Sequence, residues 1–189
     1  MHFNSGGVTD RTFTFTNLIE QLGTGAYGIT YDGTSIWITV AGNTNKLVKV
    51  DPNSGRITRT MSSPTNLGPS DLDFDGRDLW LSSGTGDIFA IDPSHGGIEK
   101  RYATGAASVG RDNGIAYRQG ELWVGDLFGG MEIHDHATGA VIATAMHADG
   151  SQLRQDEMGS IVFVNCQLVM ASRYGVRTFD TVATVRTRR

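Results

Sequence analysis

Apolar residues fall in short runs: Ile36-Trp37-Ile38, Leu79-Trp80-Leu81 and Leu122-Trp123-Val124, each bounded within a few residues by Gly, Asp, Asn or Ser. Runs of this length, rich in branched and aromatic residues and cut by turn formers, predict β-strands. No long stretch carries the three-and-four spacing of an amphipathic helix. The chain is therefore expected to be all-β.

The runs recur in register. Trp37, Trp80 and Trp123 lie 43 residues apart twice in succession, and Val169 holds the same place 46 residues further on. Six residues before each stands an aromatic (Tyr31, Phe74, Tyr117, Phe163), and eight before a branched aliphatic (Ile29, Leu72, Ile115, Ile161). The apolar strand that follows ends in Asp in every copy: Asp51, Asp92, Asp135 and Asp180. Self-similarity at a fixed period of this size marks a repeat architecture.

Each copy divides into four strands, A to D; in the first these are 28–32, 35–41, 46–51 and 56–61. Asp32-Gly33 and Asp75-Gly76 are tight-turn signals between A and B, and Asp51-Pro52-Asn53-Ser54-Gly55 turns C into D. The Trp-bearing strands are apolar on both faces, as in a sheet sandwiched between neighbours. Four such sheets packed radially cover one another's faces. The expected fold is a small β-propeller of four four-stranded blades spanning residues 11–189, with 1–10 as a flexible N-terminal segment.

The ring is expected to be closed by the N-terminal strand, Arg11–Thr16, as the outer strand of the last blade. Thr184–Arg189 competes for that place, but Phe13 and Phe15 offer more apolar area to bury than Arg186 and Arg188. The alternative is a wider ring completed by a second chain or by a longer parent protein.

Composition narrows the classes. The net charge of −4 gives no general attraction to nucleic acid or anionic lipid. The start, Met1 to Gly7, lacks a basic region followed by an apolar one, and no apolar run approaches the roughly 18 residues of a membrane helix. The expectation is a soluble chain, cytoplasmic as made or part of a particle. The single cysteine, Cys166, sits in an apolar run and allows no internal disulfide.

The stretches Gly28-Ile29-Thr30-Tyr31-Asp32-Gly33 and Leu72-Asp73-Phe74-Asp75-Gly76, together with Lys46-Leu47-Val48-Lys49-Val50-Asp51-Pro52, resemble the repeats of the virginiamycin B lyase-like, NHL and YVTN group of propellers. The resemblance spans residues 24 to 183 and rests on packing and turn positions. It implies the propeller fold, usually with five to seven blades. Function in that group ranges over an antibiotic-opening lyase and carbohydrate and protein binders.

Candidate chemistry is sparse. The D–A and B–C loops form the face where propeller ligands usually bind, and they hold Asp71, Asp112, Asn113, Asp126, Phe128, His147, Arg154, Asp156, Glu157 and Tyr174. The fourth D–A loop, 147–158, is the longest and most charged. Asp71, Asp73 and Asp75 mimic the start of a calcium loop, but its twelfth position is Ser82, not an acid. Gly23, Gly25 and Gly28 match a dinucleotide fingerprint by letter, but precede a strand. His134-Asp135-His136 aligns with strand and turn positions of the other copies, which makes a structural role the expectation.

In the resembled lyase, a His base and a metal-held acid work at the channel mouth. Here the A strands carry no His, and His147 with Glu157 or Asp156 is the nearest pairing on the loop face.

The reading is a non-enzymatic binding or assembly module with no catalytic residue, metal or cofactor. It meets a protein or glycan through Asp112, Asn113, Asp126, Phe128, Arg154, Asp156 and Tyr174. A homo-oligomer, or a larger assembly such as a phage or virus particle, is a candidate setting, as is a lectin-like role. The alternative is a metal-assisted lyase.

Overall fold

The computed structural model describes residues 2–3, 9–11, 25–42, 45–64, 69–103, 114–125, 130–147, 149–151, 153, 159–164, 167–172, 175–179 and 183–186. These are all strand and turn, with no helix among them.

A short hairpin pairs β1 (His2–Phe3) with β2 (Thr9–Arg11). The first large sheet is β3 (Ala26–Tyr31), β4 (Ile36–Val40), β5 (Lys46–Val50) and β6 (Ile57–Ser62) in sequential order. The second repeats it with β7 (Pro69–Phe74), β8 (Leu79–Ser83), β9 (Asp87–Ile91) and β10 (Ile98–Ala103). The third holds β11 (Ile115–Arg118), β12 (Glu121–Gly125), β13 (Met131–Asp135) and β14 (Val141–Met146). The fourth comprises β15 (Ser160–Val164), β16 (Gln167–Ser172) and β17 (Gly175–Phe179). All pairings are antiparallel, and the repeat aligns as the sequence predicts. Thr30, Asp73, Ala116 and Val162 on the inner strands stand opposite Trp37, Trp80, Trp123 and Val169.

Each Trp packs on the following sheet. Trp37 lies in one cluster with Leu47 of its own sheet and Leu72, Leu79, Leu81 and Phe89 of the second. Trp80 joins Ala90 to Ile115, Leu122 and Val124 of the third, and Trp123 joins Ile133 to Ile161, Leu168 and Met170 of the fourth. Truncating such a side chain to Ala costs roughly 3–5 kcal/mol. A fourth cluster, Ile38, Val40, Val48 and Val50, draws its described members from the first sheet alone.

The A–B turns carry a brace that explains why Trp and Asp travel together. Asp32 Oδ1 accepts the amides of Thr34 (2.8 Å) and Ser35 (2.7 Å), while Oδ2 accepts the Trp37 indole N–H at 2.7 Å. Asp75 does the same for Arg77, Asp78 and Trp80, all at 2.7 Å. The third copy has a Gln119-Gly120 turn with both residues at positive φ, and Glu121 takes the Trp123 indole at 3.1 Å. At the C–D turns Asp51, Asp92 and Asp135 each accept an amide of their own loop, and each donates its amide across it.

The C-terminal strand does not take the place for which it competed. β18 (Ala183–Arg186) pairs with β14, making the third sheet five-stranded, and does not complete the fourth. The backbone edge of β14 is the physical reason: it offers four consecutive partners, Ala143 to Met146. Of the expected closing strand, Arg11 is in β2 and pairs with His2, whereas 12–16 lie outside the described residues. Four sheets packed within one chain predict a 20.3 kDa species by sedimentation equilibrium; a stable species of about twice that mass would favour the wider, two-chain ring.

Candidate functional site

Inner strands leave a row of backbone amides facing the axis, where no further strand can pair with them. Here carboxylates take that place. Asp71 and Asp73 lie two residues apart on β7 and so share a face, as do Ile115 and Tyr117 on β11. Asp73 Oδ2 accepts the Tyr117 amide at 2.8 Å, and its Oδ1 accepts the Thr30 hydroxyl of β3 (2.9 Å) and the Phe74 amide (2.8 Å). Asp71 Oδ2 accepts the Ile115 amide at 3.4 Å and its Oδ1 the Leu72 amide at 3.0 Å. Two side chains of the second sheet therefore tie its inner strand to those of the first and third.

Close approach of the strands makes this reach possible. A Cβ on Gly28 would lie 2.7 Å from both Cα and Oδ1 of Asp71, and one on Gly114 would run into the Gly159 carbonyl and Ile161. The ladder shifts register at both Gly28 and Asp71, and a hydroxyl from the next strand takes the freed amide. Thr39 accepts from Gly28 at 2.7 Å, and Ser82 accepts from Asp71 at 3.1 Å.

Burial dominates the electrostatics. Asp71 is 5% exposed, and its desolvation pushes the carboxyl up to about 7 against the pull of the Leu72, Ile115 and Ile161 amides, with the charge of Asp73 adding to the rise. Asp73 is raised for the same leading reason. Asp32 is shifted oppositely: the Trp37, Thr34 and Ser35 hydrogen bonds overcome its desolvation and hold it well below the usual carboxylate range.

Two cavities lie near the A–B turn end. One of about 420 Å³ is walled by Ile29, Tyr31 and Ile36 of the first sheet, Leu72 and Asp73 of the second and Ile161 and Val162 of the fourth. Ile29, Tyr31 and Val162 are exposed there, with Tyr27 and Val164 further along the same strands. The other, of about 270 Å³, sits between the second and third sheets beside Trp80, Tyr117 and His136.

The site residues expected from sequence, Asp112, Asn113, Asp126, Phe128, Arg154, Asp156 and Tyr174, all lie outside the described residues. Asp71, expected on the loop face, is instead buried at the axis. His134 is fully buried, with Nδ1 3.0 Å from the Gly139 carbonyl and Nε2 3.1 Å from Glu132, a structural role as expected. Asp92, His95 and Glu99 converge as a metal-ligand set would. However, His95 Nδ1 accepts the Gly97 amide at 3.0 Å, and Nε2 lies 3.0 Å from Asp92. The imidazole is committed to bracing its turn.

No protein-family model and no curated protein matches the chain. Solved structures do. Glutaminyl cyclase of Myxococcus xanthus aligns over 88% of this chain and 76% of its own at TM-score 0.64 and 13% identity. The computationally designed Ika4 protein aligns over 87% of this chain and 92% of its own at TM-score 0.58 and 13% identity. A chain of the mitotic checkpoint complex aligns over 82% and 46% at TM-score 0.61 and 15% identity. At these identities the likeness concerns the fold, and with the four radially packed sheets it places the chain among the β-propellers.

Two measurements test the axis. Gly28→Ala forces backbone apart and is expected to cost about 2–3 kcal/mol in urea unfolding. Gly33→Ala, at φ +91° with open space around it, should cost about 1–2 kcal/mol through backbone strain alone. Equal losses would mean that the strands do not meet at Gly28.

The second measurement is the pH profile of stability. Unfolded Asp71 titrates near 3.8, so between there and about 7 the folded chain holds the extra proton and stability falls as pH rises. The Asp32 contribution is present above its unfolded value of 3.8 and is lost as pH falls below it. Urea midpoints are therefore expected to peak at roughly pH 4–5. Asp71→Asn should flatten most of the fall toward neutral pH; an unchanged slope would refute the assignment.

Proposed function

We propose that this chain is a non-enzymatic binding or assembly module that meets its partner through the D–A and B–C loops. The carrying observation is the state of the axis. Asp71 and Asp73, the described acids nearest the place where a propeller enzyme would work, give their oxygens to backbone amides and one hydroxyl. What remains for recognition is the loop ends of the sheets, and Asp112, Asn113, Asp126, Phe128, Arg154, Asp156 and Tyr174 are the proposed contacts.

A protein partner is favoured over a glycan. Tyr27, Ile29 and Tyr31, with Val162 and Val164, expose apolar side chains along the inner strands, a surface of the kind that marks protein contact and separate from the loop face. A lectin would also be expected to repeat its site in each blade, whereas the proposed loop residues differ between copies. Membership of a fold relative in the mitotic checkpoint complex supports a role inside an assembly, of which a phage or virus particle is one setting. The metal-assisted lyase fits less well: the described inner strands carry no His, and each oxygen of the axial carboxylates already accepts a backbone amide.

The test is a binding screen of the labelled chain on protein and glycan arrays, with Arg154→Ala/Asp156→Ala as the comparison. A protein hit weakened about tenfold or more in the variant, at an unchanged melting midpoint, is the expected result. Unchanged affinity would sink the loop-face placement.

A further inference from the structure

The first two sheets carry the same Trp–Asp brace but compensate its charge differently. In the first, Lys49 stands opposite Trp37 across β4 and β5. Its Nζ sits 5.2 Å from the centre of the indole and 3.3 Å from Asp32 Oδ2. The chain thus supplies its own ammonium group between an aromatic face and a carboxylate. In the second sheet the residue opposite Trp80 is Ala90. The nearest cation is Lys100 of β10, 5.9 Å from the Trp80 ring, with its Nζ donating to the His136 carbonyl at 3.3 Å. Among the described residues it makes no ion pair with Asp75.

The 270 Å³ cavity lies at this place, with Asp75, Trp80, Tyr117 and His136 among its walls. Two further carboxylates face it, Asp78 and Glu99. Asp78 stands two residues before Trp80, where the first sheet has the neutral Ser35. Its side chain is only 8% exposed, and no hydrogen bond reaches its carboxylate among the described residues. Among the described residues its ion-pair partner is Arg77 Nε, 3.7 Å away on a side chain 80% exposed. Burial leads in raising Asp78, Arg77 opposes the rise, and Asp75, Glu99 and Asp92 add to it. Three acids against Arg77 and Lys100 leave the cavity net negative, with Tyr117, His136 and the buried Trp80, whose ring also stacks on Tyr102 at 5.9 Å, among its other walls.

We propose that this cavity binds an external primary ammonium group, seated between Trp80 and Asp75 as Lys49 is seated between Trp37 and Asp32. The ligand class is a lysine side chain or a small aliphatic amine. The site is at the A–B turn end of the sheets, opposite the loop face, and does not depend on the function proposed above.

The test follows the Trp80 indole N–H by NMR during titration with three probes. Nα-acetyl-lysine methylamide stands for a peptide lysine, putrescine for a free amine, and Nα-acetyl-norleucine methylamide for the same shape without charge. Saturable shifts with a Kd of about 1 mM are expected from one or both amines, and none from the norleucine probe. The amine that binds more tightly identifies the source. Asp78→Ser, which installs the residue of the first sheet, should weaken binding about tenfold, and Lys100→Ala should strengthen it by removing a competing charge. Should Asp78→Ser fail to fold, Glu99→Gln at the exposed rim makes the same test. Equal binding of the norleucine probe, no binding of either amine, or indifference to these acid substitutions would overturn the proposal.

Discussion

The arrangement of the sheets depends on two carboxylates that stand in for a missing β-strand. Inner strands meet at an angle that leaves their axial amides unpaired, and a buried amide without an acceptor costs about 1–3 kcal/mol. Asp71 and Asp73 answer that need at the spacing of the strand they face, since both the acids and their amide partners repeat every second residue. The solution is local to one strand, yet it constrains the others. Gly28 and Gly114 must lack side chains for the strands to come close enough, and Thr39 and Ser82 must supply hydroxyls where the ladder slips. The burial that lifts Asp71 to about 7 follows from the same closeness.

Around that axis the Trp side chains act outward, each from one sheet onto the next. This is the part that was readable in the sequence. A packing unit that must cover the following unit has to repeat its bulk, its turn acid and its spacing, so Trp37, Trp80 and Trp123 announce the period, and the Asp five residues earlier in the first two copies announces the brace. The same reasoning located the strands to within a residue or two.

The axial acids were not readable for a corresponding reason. They occur in one copy only, so self-comparison is blind to them, and as a run of alternating Asp they imitate the start of a calcium loop. Their partners are backbone amides, which every residue but proline carries and no sequence pattern marks. The position of β18 was unreadable for the same reason. The alternating Ala183 to Arg186 suits any free edge, and a main-chain ladder chooses β14 without regard to side-chain identity. Recognition residues in the D–A and B–C loops have no period at all, so sequence reasoning reaches them only by their place between strands.

A repeat fold thus separates two kinds of information. Positions alike in every copy serve packing and turns, and specificity has to reside where copies depart from one another. The departure that the structure exposes most fully is in the second sheet. It keeps the Trp–Asp brace, replaces the opposing Lys with Ala90 and adds a buried acid at Asp78 where the first sheet has Ser35. Each change taken alone would destabilise the brace, either by removing its counter-charge or by burying a second like charge. Together they set three acids against Arg77 and Lys100 beside Trp80, on a scaffold whose stability is set elsewhere.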